Sequence, residues 1–215
     1  MCFSAEASFT GSVVLSGFGI AAFRNLSRKT QLLFASIPLV FAFQQFTEGV
    51  LWLTIPASPQ YGLVQKTAAY VFLVMAQVFW PLFMPLAVLL LEENAFRKKL
   101  LYSLLSLSGV VVLYYGYGIL FGDIRITAEH YHIQYQVFSK GALPIIFFAL
   151  YTLTTIVPLF ISSVKGTSKM GFLMLGSCLV SLLFFVQFLT SVWCFFAAVI
   201  SFVVYKILKD IKPRK

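Results

Sequence analysis

The sequence predicts an all-α membrane protein: a bundle of seven transmembrane helices, N-terminus outside and C-terminus in the cytoplasm. Three observations carry this. Hydrophobic residues make up 60% of the chain and charged residues only 11%, whereas a soluble domain carries about 25% charged residues. The apolar residues fall into runs near the roughly 20 residues that cross a bilayer as a helix. The basic residues cluster between those runs, on alternate sides, as the positive-inside rule requires. The net charge of +9 therefore reads as topology, not as the footprint of a nucleic-acid-binding protein. The bilayer is the expected partner, nucleic acid is not, and the expected location is the plasma (inner) membrane, as a multi-pass protein.

The chain opens MCFSAEASFTG, without the basic n-region or cleavage site of a signal peptide. The first run, Ser8 to Phe23, is therefore expected to stay as a span. The second runs from Gln31 to Thr54 and the third from Gln65 to Leu91. Pro81 and Pro85 remove backbone donors from the third span and should kink it. In lipid, the gaps they leave must be filled by neighbouring groups or water. The fourth and fifth spans run from Leu100 to Phe121 and from Ala142 to Ser162. No charge interrupts Met170 to Tyr205, about 54 Å if wholly helical, and a hydrocarbon core is only about 30 Å thick. A turn near Thr190 and Ser191 divides this stretch into Met170 to Phe188 and Ser191 to Leu208. Residues 1–215 then form one transmembrane domain.

The charges set the orientation. Arg24, Arg28 and Lys29 follow the first span, Arg97, Lys98 and Lys99 the third, and Lys165 and Lys169 the fifth. Lys206, Lys209, Lys212, Arg214 and Lys215 follow the seventh, leaving Lys66, Arg125 and Lys140 on the other side. An odd number of spans is required, and hydropathy supplies it.

Glu48 is the main candidate for function. A carboxyl group inside an apolar span costs on the order of 2.5–3.5 kcal/mol on insertion scales and by default marks a functional site. It lies about 9 Å of helix from the expected outer end of its span. Gln44, Gln45 and Trp52 sit four before, three before and four after it, on nearly the same helix face. Gly49 should let another helix approach. A polar outer pocket of Gln44, Gln45, Glu48 and Trp52, with Gln77 of the third span, is expected. The structural alternative is a neutral Glu48 hydrogen-bonded to an amide across helices.

The connection GDIRITAEHYHIQYQVFSKG joins the fourth and fifth spans outside and alternates like a short β-strand or hairpin. Read as one continuous alternation, it places Arg125, Thr127, Glu129, Tyr131, Ile133, Tyr135 and Val137 on one face. His130 and His132 then point together from the other. Imidazole pairs suit zinc or copper when a third ligand converges, and Cys2, Glu6 or Glu48 could supply it. Metal ligation by His130, His132 and Cys2 is one expectation; a solvent-facing pair that only hydrogen-bonds within the loop is the other. Cys178 and Cys194 read as packing residues, and three unpaired cysteines indicate no disulfide framework. Tyr114, Tyr115 and Tyr117 fit an interfacial aromatic belt.

Through MCFSA at the start and QQFTEGVLW in the second span, the chain resembles a group of bacterial and archaeal seven-helix membrane proteins. That group is a domain of unknown function, and the likeness extends over nearly the whole length. It implies seven spans in a prokaryotic inner membrane and brings no activity. Retinal proteins fit poorly, because the seventh span lacks a mid-membrane lysine. Three-histidine membrane hydrolases are disfavoured, because no HxxxH-type pair lies within the helices.

Three functions are consistent with these features. The first is a binding or sensory protein whose extracytoplasmic pocket around Glu48 takes a small molecule or metal ion. The second is a zinc-dependent membrane hydrolase, with His130 and His132 as ligands and Glu48 as general base. The third is a small transporter or channel using Glu48 and Gln77, against which the apolar inner halves of the spans count.

Overall fold

Ser4 opens the first helix. The computed structural model describes residues 4–56, 60–122, 124–129, 132–136, 142–184 and 196–211. In it the Ser4 side chain caps α1 (Ala5–Phe23), accepting the Ala7 N–H at 3.2 Å. Such a cap is worth about 1 kcal/mol, and it starts the helix ahead of the apolar run. The buried residues of α1, Ser8, Gly11, Leu15, Gly19 and Ala22, recur every three or four positions. They form one face against α2 (Leu32–Thr54). A Cβ at Gly19 would run into the Leu39 side chain, so glycine sets the approach of the two helices there.

The third helix, α3 (Gly62–Leu91), is continuous but contains a π-helical segment, Val74–Phe79. Prolines explain how it is held. In the i→i−5 register of a π turn, residue 81 would donate to the Ala76 carbonyl, and Pro81 has no N–H. The Tyr151 hydroxyl, from α5 (Leu143–Ile161), donates to that carbonyl instead, at 2.7 Å. Pro85 likewise leaves the Pro81 carbonyl without its helical donor. Ser108 of α4 (Ala95–Phe121) supplies one, its Oγ lying 2.6 Å away. The gaps expected from the sequence are thus filled by two named side chains. Ser108→Ala and Tyr151→Phe are each expected to cost about 1–2 kcal/mol of unfolding free energy, because each strands a buried carbonyl. Denaturant titration in mixed micelles reads this, and an unchanged midpoint would show that water fills the gap.

Asn94 caps α4, its Oδ1 accepting from Phe96 and Arg97. The chain continues through α6 (Thr167–Phe184) and α7 (Ala197–Ile211), and α7 packs on α1 and α2. Among the described residues five helices, α1, α3, α4, α5 and α6, are long and apolar enough to cross a membrane. Helix α2 has 23 residues, but Gln44, Gln45, Thr47 and Glu48 dilute its hydropathy. The described part of α7 has 15. The turn expected near Thr190 and Ser191 lies outside the described residues. One apolar cluster draws on all seven α-helices among the described residues, from Leu15 and Phe34 through Met84, Leu101, Ile156 and Met174 to Val204. Cys178 is buried in it. Cys194 lies outside the described residues.

A second acid, not singled out by its surroundings in the sequence, ties one end of the bundle together. Glu92, in the α3–α4 turn, is only 1% exposed. Its Oε1 accepts from the Glu93 and Asn94 N–H groups at 3.0 and 2.9 Å and from Ser163 Oγ at 2.8 Å. Its Oε2 accepts from the Ser163 N–H at 2.6 Å. The α3–α4 and α5–α6 turns are thereby joined, and Arg97 adds a bond to the Ile161 carbonyl at 3.0 Å. Burial pushes the Glu92 carboxyl up, and the backbone and hydroxyl donors more than offset it, holding the group below the ordinary carboxylate range.

At the opposite end lies the hairpin between α4 and α5, formed by β1 (Arg125–Glu129) and β2 (His132–Gln136). Its register pairs Ile126 with Tyr135, Ala128 with Ile133 and Glu129 with His132. Cross-strand partners share a face. The expected alternation is therefore corrected: Ile133 and Tyr135 stand with Ile126 and Ala128, while His132 stands with Arg125 and Thr127. The two-residue connection resets the period-two count, which one continuous strand would have preserved. The apolar face packs on α2 and α3. Ile133 is fully buried beside Leu51, Ala69 and Phe72, and Tyr135 stacks on Phe72 with ring centroids 4.7 Å apart.

Candidate functional site

The polar turn of α2 lies just beneath that hairpin-covered cluster. Gln44, Gln45 and Glu48 are all at most 1% exposed. Helical spacing brings the Gln45 amide to the Glu48 carboxyl, with Nε2 3.4 Å from Oε2, a long and correspondingly weak bond. Gln44 turns toward α3. Its Oε1 accepts from the Trp80 indole N–H at 2.8 Å, and the indole also stacks on Phe41 at 4.2 Å. Trp80 begins the α-helical stretch that follows the π-helical segment, so one hydrogen bond and one ring stack fix α2 against the irregular part of α3.

At Gly49, α1 comes close to this turn. A Cβ there would lie 2.8 Å from the Phe9 ring, and Phe9 also meets Phe46 edge-on. Glycine thus lets α1 cover the helix beside Glu48, the close approach that the sequence predicted. Thr47 is buried, and its hydroxyl bonds back to the Phe43 carbonyl.

The remaining expected site residues divide. Trp52 contributes to the cluster under the hairpin, and its indole N–H is buried without a hydrogen-bond partner among the described residues. Gln77 sits within the π-helical segment, and its side-chain oxygen is likewise buried and unpartnered among the described residues. His132 is 7% exposed, which corrects the expectation of a solvent-facing pair. His130 and Cys2 lie outside the described residues, and of the expected ligand set of His130, His132 and Cys2 only His132 is described. Among the described residues no three histidine, cysteine or acidic side chains gather as a metal site.

Trp80 and Tyr151 are the contributors that reading the sequence left out. A signal for both existed, because an indole N–H or phenol buried in apolar surroundings needs an acceptor. Which acceptor it finds depends on helix pairing.

Chemically, the turn presents a carboxyl and two amides in a low-dielectric interior, where an ordered hydrogen bond or charge contact counts for far more than in water. Neither the curated proteins nor the solved structures contain a match to this chain. A family model matches residues 1–214, and the chain belongs to that family of unknown function, DUF6629.

Proposed function

We propose that this is a seven-span integral membrane protein, N-terminus outside and C-terminus cytoplasmic, that binds or senses a small polar ligand from the extracytoplasmic side. Gln44, Gln45 and Glu48 form the centre of its pocket, with Trp52 and Gln77 at the margins. The observation that carries this reading is the burial of three polar side chains within one turn of α2, one of them an acid. Groups of this kind are expensive in a membrane interior and are kept for function. The π-helical segment of α3 faces the same turn through the Trp80–Gln44 bond, and such segments recur at functional sites. The basic clusters at the Glu92 end support a cytoplasmic assignment for that end.

The test is carboxyl labelling from the outer side, using a carbodiimide and an amine nucleophile on intact cells. Glu48 is expected to be modified, with Glu6, exposed at the start of α1, as the positive control. A C-terminal reporter active only in the cytoplasm sets orientation in the same strain. Modification of Glu6 without Glu48 would remove the outward-facing pocket. Stoichiometric zinc lost on His132→Ala would make a metal ion the ligand, and hydrolysis by that zinc protein would replace the binding reading with the hydrolase.

A further inference from the structure

The end of the bundle that carries Glu92 also holds a groove of about 340 Å³. Three separate connections meet there: the α1–α2 link, the α3–α4 turn and the α5–α6 turn, with the end of α7 closing one side. Arg28 and Lys165 line it as cations. Ser27, Thr30 and Ser163 bring hydroxyl groups, and Leu91 and Ile211 an apolar wall. The one acid in the lining, Glu93, is ion-paired with Arg28. Lys165 has no ion pair among the described residues and is exposed. Glu92 is nearby but already saturated by four donors.

The backbone around the groove is held firmly. Gln31 is 4% exposed, and its side-chain oxygen accepts from the Ser27 and Arg28 N–H groups at 2.9 and 3.3 Å. The Glu92 clamp fixes Ser163, the residue two before Lys165. Both cations are therefore carried on backbone that is already ordered, so capturing an anion demands little further ordering of the chain.

We propose that this groove binds a phosphate group, that of an anionic lipid headgroup or of a soluble phosphate compound. A net positive lining with the hydroxyls of Ser27 and Thr30 as donors, that of Ser163 being given to Glu92, matches phosphate oxygens. Basic pockets between helices at the cytoplasmic surface commonly take anionic headgroups. The apolar wall of Leu91 and Ile211 fits the lipid source, whose glycerol and acyl portions would lie along it. The lipid form of this proposal rests on the membrane-spanning reading above and does not depend on Glu48.

The experiment uses full-length protein in zwitterionic detergent micelles. Thermal unfolding and native mass spectrometry are read with added phosphatidylglycerol, phosphatidylcholine or inorganic phosphate. Phosphatidylglycerol is expected to raise the melting temperature and remain bound in the spectrometer, and phosphatidylcholine is not. Lys165→Gln and Arg28→Gln are each expected to weaken binding roughly fivefold, the effect of removing one cation near a membrane surface. Lys209→Gln, a change at the same end outside the groove lining, should bind like wild type. Stabilisation by inorganic phosphate that competes with the lipid assigns the soluble source and still supports the site. Equal weakening by Lys209→Gln would show diffuse surface charge, and no anion effect in wild type would show an empty groove; either overturns the proposal. Glu48→Gln serves as the separating control, because its behaviour bears on the outer pocket alone.

Discussion

Glu92→Ala is expected to destabilise the protein by about 3 kcal/mol, the largest effect of any single side-chain truncation at the basic end. The carboxylate accepts four hydrogen bonds, and bonds to an ionised group are worth more than neutral ones, about 1.5–3 kcal/mol each before relaxation. Its loss strands the Ser163 N–H and loosens both turns. Glu92→Gln keeps the shape but turns an NH₂ toward one of those donors, so a smaller cost of about 1–2 kcal/mol is expected. The pH dependence follows from the depressed carboxyl. A group whose folded pKa lies below its unfolded value contributes stability above the unfolded value, about 4.3 for glutamate, and loses it as pH falls through the folded value. Wild type should therefore lose stability below about pH 4, and Glu92→Gln should lack that component. Denaturation midpoints measured between neutral and acid pH decide this; identical acid profiles would mean that the clamp contributes nothing.

Glu48→Lys and Glu48→Gln are expected to part company sharply. An ammonium group forced into a fully buried position beside Gln45 carries a penalty of several kcal/mol, so Glu48→Lys should not accumulate as monodisperse protein. Glutamine has nearly the same volume and can still accept from the Gln45 amide. Glu48→Gln should purify like wild type, with a melting temperature within a few degrees. Size-exclusion profiles and thermal unfolding of the two variants supply the comparison. Misfolding of Glu48→Gln as well would make the acid a requirement of the fold and would count against a ligand-binding role. A stable Glu48→Gln leaves the acid free to serve recognition.

The helices were legible in the sequence because one property, apolar run length, controls them. The expected runs Gln31 to Thr54 and Gln65 to Leu91 sit against α2 at Leu32–Thr54 and α3 at Gly62–Leu91. The starts moved where a polar side chain caps the helix. Ser4 and Asn94 begin α1 and α4 before hydropathy rises, since capping is a backbone hydrogen bond and leaves no mark on an apolar average. The hairpin between α4 and α5 was legible from alternation, but its faces were not, because the position of the turn decides parity. At the candidate site, the co-facing of Gln45 and Glu48 follows from helical spacing alone.

By itself, then, the sequence determined which segments are helical, which end of each carries positive charge, and that Glu48 and two glutamines share a face of an apolar helix. These are local properties, set by the period of a helix and by the cost of charge in an apolar run. Only the tertiary structure decided what those groups meet. It brought Trp80 to Gln44, Ser108 and Tyr151 to the carbonyls opened by Pro81 and Pro85, and Glu92 to Ser163. Each is a contact between residues distant in the chain. Its partner depends on how the helices rotate and slide against one another, and that is settled by the summed packing of whole faces.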